Sequence, residues 1–93
     1  MTEFEISNNC IIGLMPSSSI KKLLGDTIPD PQLADQIPRA EIYLRVDDPV
    51  LYFERSLRAG AKLLSQVQKR NWGATVGYLA DLDGHVIAFS DFN

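Results

Sequence analysis

The sequence predicts an α+β fold, and three observations carry it. From Ala40 onward the chain reads strand, helix, strand, strand, strand. The last two of these strands meet at Asp83-Gly84, the dipeptide that most favours a tight hairpin, because Gly84 takes positive φ without steric cost. The one helix in this stretch is bounded on both sides by capping signals. The result is a βαβββ unit over residues 39–93, preceded by a shorter strand-rich segment, 1–38.

Taken in order, Phe4-Glu5-Ile6 alternates as a half-buried strand does, Ser7-Asn8-Asn9 is a turn cluster, and Cys10–Met15 is a second apolar run. Together they predict a hairpin with Asn8-Asn9 at its tip. Pro16 stops the second strand. Ser17 or Ser18 then caps a short helix, Ser19–Leu24, which Gly25 ends. Asp26–Pro38 holds Pro29, Pro31 and Pro38, has neither period, and reads as a connection.

Ala40–Val46 alternates, with Ile42, Leu44 and Val46 on one face and Glu41, Tyr43 and Arg45 on the other. Asp48 is an N-cap with Pro49 at the first helical position. Val50, Phe53 and Leu57, joined by Tyr52, form the stripe to be buried, and Glu54 and Arg58 pair on the outer side. Gly60 ends the helix. Ala61–Val67 is a strand, Gln68–Gly73 a polar loop carrying Trp72, and Ala74–Ala80 and His85–Phe92 are the closing hairpin.

Composition narrows the function. At 93 residues, 45% hydrophobic and 23% charged, the chain is an ordinary globular length and mix, enough for one domain. The net charge of −3 and the lack of a basic stripe argue against nucleic acid. No apolar run approaches a membrane span, and the start, Met-Thr-Glu-Phe-Glu, is acidic where a signal peptide is basic, so a cytoplasmic protein without membrane contact is expected. Cys10 is the single cysteine, which excludes an internal disulfide; in its apolar run it reads as a small buried hydrophobe rather than a nucleophile. There is no glycine-rich phosphate loop, no Cys-x-x-Cys and no Gly-x-Ser-x-Gly.

The run AEIYLRVDDPVLYFERSLRAGAKLL, followed by WGATVGYLADLDGHVIAF, resembles the C-terminal βαβββ module of the glyoxalase/bleomycin-resistance/dioxygenase family, the vicinal oxygen chelate superfamily. The matching pieces are Val46-Asp47-Asp48, Ala59-Gly60-Ala61, Trp72-Gly73 and Asp81-Leu82-Asp83-Gly84-His85, with Leu82 where the family usually has proline. Glu3–Leu24 resembles the last hairpin and following helix of the family's first module, without the usual first strand-helix-strand. Whether that part is lost, truncated or supplied by a partner stays open. The resemblance implies one domain with a partial first module, a curved mixed sheet, and a homodimer whose site is built from both chains.

Metal-dependent relatives hold a divalent ion with His and Glu on the concave face and leave positions open for a substrate's vicinal oxygens. Carried over by position, those ligands fall at Glu41, at Ala88, and near Ile12 or Gly13. Glu41 is the one surviving candidate, and a lone carboxylate does not hold a divalent ion where sites need about three protein ligands. No metal and no cofactor is therefore expected. His85, the only histidine, is implied to pack beside the turn, and Asp81 and Asp83 to bond the turn's own amides. The plain reading of Tyr43, Tyr78 and Trp72 is core or loop packing. Beside Glu41 and Arg45 on a concave face, they also suit a small-molecule pocket, with Trp72 on an adjoining loop. Glu41, Tyr43, Arg45, Trp72 and Tyr78 are the expected lining. The implied function is a metal-free protein that binds a small molecule. The alternatives are a lyase, epimerase or dioxygenase, with its metal elsewhere or with Glu41 as a general base, and a structural remnant without a ligand.

Overall fold

A computed structural model describes residues 2–92. The chain divides into two compact units, Met1–Asp35 and Gln36–Asn93, a boundary three residues earlier than the one expected.

In the first unit, β1 (Thr2–Ser7) and β2 (Cys10–Leu14) form the expected antiparallel hairpin, with the turn at Asn8-Asn9. Phe4 stands opposite Ile12 and Thr2 opposite Leu14, so one face of the ribbon is apolar. Two local expectations are corrected here. Cys10 is exposed rather than buried, because a two-stranded ribbon has no second layer to cover it. Helix α1 spans Ser17–Leu24, two residues longer than expected; Pro16 occupies the cap position and no side chain caps the end. Ser17 lies inside the first turn, because Pro16 already has the extended backbone an N-cap needs. Lys21 closes the far end: its Nζ donates to the carbonyls of Gly25 and Ile28, each at 2.8 Å. The supposedly irregular connection contains two short 3₁₀ turns, Gly25–Thr27 and Pro31–Ala34, the second capped by the Asp30 side chain.

The second unit is βαβββ: β3 (Glu41–Arg45), α2 (Pro49–Arg58), β4 (Lys62–Lys69), β5 (Thr75–Ala80) and β6 (Val86–Ser90). The strand order is β3-β6-β5-β4, with β3 parallel to β6 and the other pairs antiparallel. Helix α2 thus carries the chain from one edge of the sheet to the other, and the two hairpins return inward to fill the gap. The strands make two separate sheets rather than the one sheet expected, and only the four-stranded one is mixed.

The ends of α2 are set as the sequence indicates. The Asp48 carboxylate accepts from the Leu51 amide at 3.2 Å, with Pro49 at the first turn. At the other end Gly60 takes φ +106°, its N–H bonds to Leu57 O at 3.1 Å and that of Ala61 to Ser56 O at 3.0 Å, the paired closure of a Schellman motif. Phe53 is the buried residue of α2 and packs with Leu79 and Phe89; Leu57, Val46, Val67 and Ile87 surround them. Val50, expected in the stripe, is exposed in the first turn of the helix. Tyr52 reaches Phe89 with its ring, 5.7 Å between centroids. Glu54 and Arg58 are exposed and form no ion pair, as solvated surface charges gain little by pairing.

Gly77 lets Phe53 approach the sheet. A Cβ there would lie 2.6 Å from the Phe53 ring and 2.6 Å from Val67. Strand β4 runs to Lys69, past the expected end at Val67. It holds two extra residues relative to β5, between Leu63 and Ser65 and between Ser65 and Gln68. These bulges disrupt the alternation that would have marked its length. No helix is long and apolar enough to cross a membrane among the described residues.

Candidate functional site

The sheet face opposite Phe53 is laid out by register. Tyr43 on β3, Ala88 on β6 and Tyr78 on β5 stand side by side in one row. Glu41 and Val86 form the row on one side, Arg45 and Ser90 the row on the other. Alternation makes this inevitable once the ladder is fixed, because residues two apart share a face. Tyr43 and Tyr78 pack over Ala74, Val76 and Ala88, all buried. A second small core therefore lies on this face, roofed by aromatic rings.

Polar contacts fix those rings. Trp72 Nε1 donates to the Tyr43 hydroxyl at 3.4 Å, Tyr43 donates to Ser90 Oγ at 3.0 Å, and Ser90 donates to the Asp91 carbonyl at 2.9 Å. Ser90 is wholly buried, so the relay satisfies a hydroxyl that would otherwise carry a desolvation cost. The Trp72 ring stays 57% exposed, so its N–H ties the loop to the sheet while most of the indole faces solvent. The Arg45 guanidinium sits 5.7 Å from the centre of the Tyr43 ring. The five residues singled out in the sequence, Glu41, Tyr43, Arg45, Trp72 and Tyr78, are thus on or beside one face of the second unit. Glu41, Arg45 and Trp72 are exposed, and Tyr43 and Tyr78 half-buried.

Sequence reasoning missed two residues here. Arg70, the first residue of the β4–β5 loop, lies over the Tyr78 ring, 5.0 Å from its centre. Its Nε donates to Val76 O at 3.1 Å, and its Nη2 to Val76 O at 2.9 Å, Gln66 O at 2.8 Å and Ser65 Oγ at 3.0 Å. These acceptors are gathered at the second β4 bulge, which nothing in the sequence announces. Ser90 was legible, since it continues the alternation Val86, Ala88, Ser90. Burial pushes the Tyr78 phenol above its ordinary pKa, Glu41 and Tyr43 add to the rise, and Arg70 opposes it. The neutral phenol is therefore the form this face holds.

The positions where the resembled family would place metal ligands do not fit a metal. Ala88 offers no lone pair and is fully buried between the two tyrosines. Ile12 and Gly13 have no donor side chain, and Glu41 is exposed without a second ligand beside it. Elsewhere, the ligand atoms of Asp81, Asp83 and His85 lie within 4.8 Å of one another at the β5–β6 turn. Asp81 is already committed: its Oδ1 accepts from the Asp83 and His85 amides, each at 2.9 Å, and its Oδ2 lies 3.3 Å from His85 Nδ1. Asp81 thus holds the turn as expected. The Asp83 side chain does not; its contribution is its amide, donated to Asp81. His85 is exposed beside the turn, paired with Asp81.

A hollow of 240 Å³ lies on the opposite side of the sheet, against the end of α2, lined by Ser56, Ala59, Ala61, Leu79, Asp81, Leu82 and Ile87. It holds none of the five expected residues and is smaller than the usual ligand cavity of about 300–1,000 Å³.

No protein-family model, curated protein or solved structure matches the chain.

Proposed function

We propose that the chain is a small-molecule-binding protein of the glyoxalase/bleomycin-resistance type that acts without a metal. One observation carries the reading: Tyr43, Tyr78 and Trp72 converge on one sheet face with Glu41 and Arg45 at its margins, while the position where a ligating carboxylate would stand is Ala88. Flat apolar surface with a few placed polar groups binds and orients a molecule, and no side chain there is arranged to break a bond. The resemblance lies in the order of strands and helix and in the turn residues, and the binding reading is drawn from the face itself.

The expected partners are one small molecule and a second copy of the chain in the cytoplasm, with no nucleic acid and no membrane. Two features support the pairing. Strand β3, which carries Glu41, Tyr43 and Arg45, is an edge of its sheet, and the β1–β2 ribbon has an apolar face. Sedimentation at micromolar concentration tests this, and a monomer would remove the pairing.

A thermal-shift panel of aromatic compounds, run beside elemental analysis, tests the binding reading. A true ligand at a hundred times its Kd adds about 2.7 kcal/mol, and Trp72→Ala abolishes the shift. A stoichiometric divalent metal would favour the lyase, epimerase or dioxygenase alternative. A panel with no shift would favour the remnant.

A further inference from the structure

Arg70 is a cation without an anion. Four hydrogen bonds hold its Nε and Nη2, and every acceptor is neutral: two backbone carbonyls and the Ser65 hydroxyl. No carboxylate lies within 4 Å of the guanidinium among the described residues. Among the described residues Nη1 makes no hydrogen bond, and neither does the Tyr78 hydroxyl, over whose ring the guanidinium sits. A surface arginine is ordinarily free to swing. This one is locked in place by Val76, Gln66 and Ser65, with one amino group left unused, and so bears no further ordering cost when an anion arrives. The second cation of the face, Arg45, is likewise without an ion pair. Neither arginine is neutralised by a contacting carboxylate among the described residues. The ring surface beside them, Trp72 and Tyr43, suits a flat molecule.

We propose that this face takes an aromatic carboxylate, with the anion on Arg70 Nη1 and the Tyr78 hydroxyl and the ring on the Trp72–Tyr43 surface. The inference rests on the small-molecule reading above and names its ligand class. A guanidinium N–H and a phenolic O–H both donate to a carboxylate, and a charge-assisted bond of this kind is about twice as strong as a neutral one. Glu41, in the adjoining row of the same face, acts against the anion.

Trp72 is the only tryptophan, so its indole N–H gives one resolvable cross-peak in a ¹H–¹⁵N correlation spectrum and reads the face directly. Benzoate, benzylamine and benzyl alcohol are titrated separately, as probes that share a ring and differ in charge. Benzoate is expected to shift the peak with a Kd at least about ten-fold lower than either of the others, and to weaken as salt rises. Arg70→Gln removes that preference, so that benzoate and benzyl alcohol bind with similar Kd. Because Arg70 also ties the β4 bulge, Glu41→Gln is the second variant. Among the described residues the Glu41 side chain makes no hydrogen bond, so its loss leaves the fold intact and tightens benzoate two-fold or more relative to benzyl alcohol. If none of the probes moves the peak, the binding face and the proposal both fall. If the three bind alike, or Arg70→Gln keeps the preference, or Glu41→Gln leaves benzoate unchanged, the anion proposal falls while a binding face remains.

Discussion

Tyr43→Phe removes one oxygen from the centre of the relay that joins Trp72 to Ser90, and its cost can be worked from the geometry. The variant keeps the ring and its packing on Ala74, Val76 and Ala88, so the apolar part is unchanged. Two hydrogen bonds go. The bond to Ser90 Oγ, at 3.0 Å, is of good length and ends on a wholly buried hydroxyl. The bond from Trp72, at 3.4 Å, is beyond the usual range and ends on an exposed indole, so it contributes little. Ser90 still donates to Asp91 O, which leaves one lone pair unfilled rather than a stranded hydroxyl. The net loss is about 1 kcal/mol. In a domain of this size that lowers Tm by about 4–8 °C.

Unfolding followed by Trp72 emission reads the second unit specifically. The native emission of the variant should also move to longer wavelength, since the indole loses its partner and turns to water. Ser90→Ala, alone and combined with Tyr43→Phe, completes a double-mutant cycle with an expected coupling of about 0.5–1 kcal/mol. An unchanged Tm and a coupling below about 0.3 kcal/mol would show that the two hydroxyls do not act on one another in solution.

Three further outcomes concern other positions of the second unit. Gly77→Ala puts a Cβ 2.6 Å from both Phe53 and Val67, where carbon contacts need about 3.5–4.0 Å; it should cost about 1–3 kcal/mol by denaturant titration, and Phe53→Leu in the same chain should recover part of it. Gly84→Ala should cost about 2 kcal/mol or more, because φ is +90° and the added carbon meets the Gln36 backbone at 2.6 Å; a neutral result would mean that Gln36 does not dock on the turn. Raising pH tests Tyr78. Its folded pKa is above the ordinary 10.0, so its contribution to stability is full below pH 10.0 and is lost as pH rises through the folded value. Tyr78→Phe should flatten that alkaline loss, and an unaltered profile would place the loss elsewhere.

Much of the second unit could be read directly from residues because each of its signals is local. Asp48-Pro49, Gly60 and Asp83-Gly84 set ends and turns through their own backbone preferences, and strict alternation over Glu41–Arg45 placed Tyr43 between Glu41 and Arg45. The same alternation brings Tyr78 and Ala88 to the same face once β6 pairs with both neighbours. What could not be read was non-local. The β4 bulges depend on pairing with β5, so the length of β4 and the anchoring of Arg70 were hidden. Exposure of Cys10 and Val50 depends on what lies over them, and an apolar run carries no record of that. Asp81 and Asp83 look equivalent in sequence; only the turn geometry gives both amides to Asp81.

The two faces of the four-stranded sheet hold it together in different ways. One is closed by α2 through Phe53, with Gly77 making room. On the other, Ala74, Val76, Ala88 and Ser90 are as well buried, yet the groups packed on the three apolar ones are Tyr43 and Tyr78, which are also the proposed binding surface. Binding and stability on this face are therefore coupled through the same atoms. A ligand that settles on Tyr43 and Tyr78 adds a layer to a core that has only one, and should stabilise the unit beyond its direct contacts by restricting the rings. Truncating either tyrosine lowers stability even without ligand, so loss of binding in such a variant does not by itself identify a contact residue. Glu41, Arg45 and the exposed part of Trp72 bear no such double role, and substitutions there separate recognition from folding.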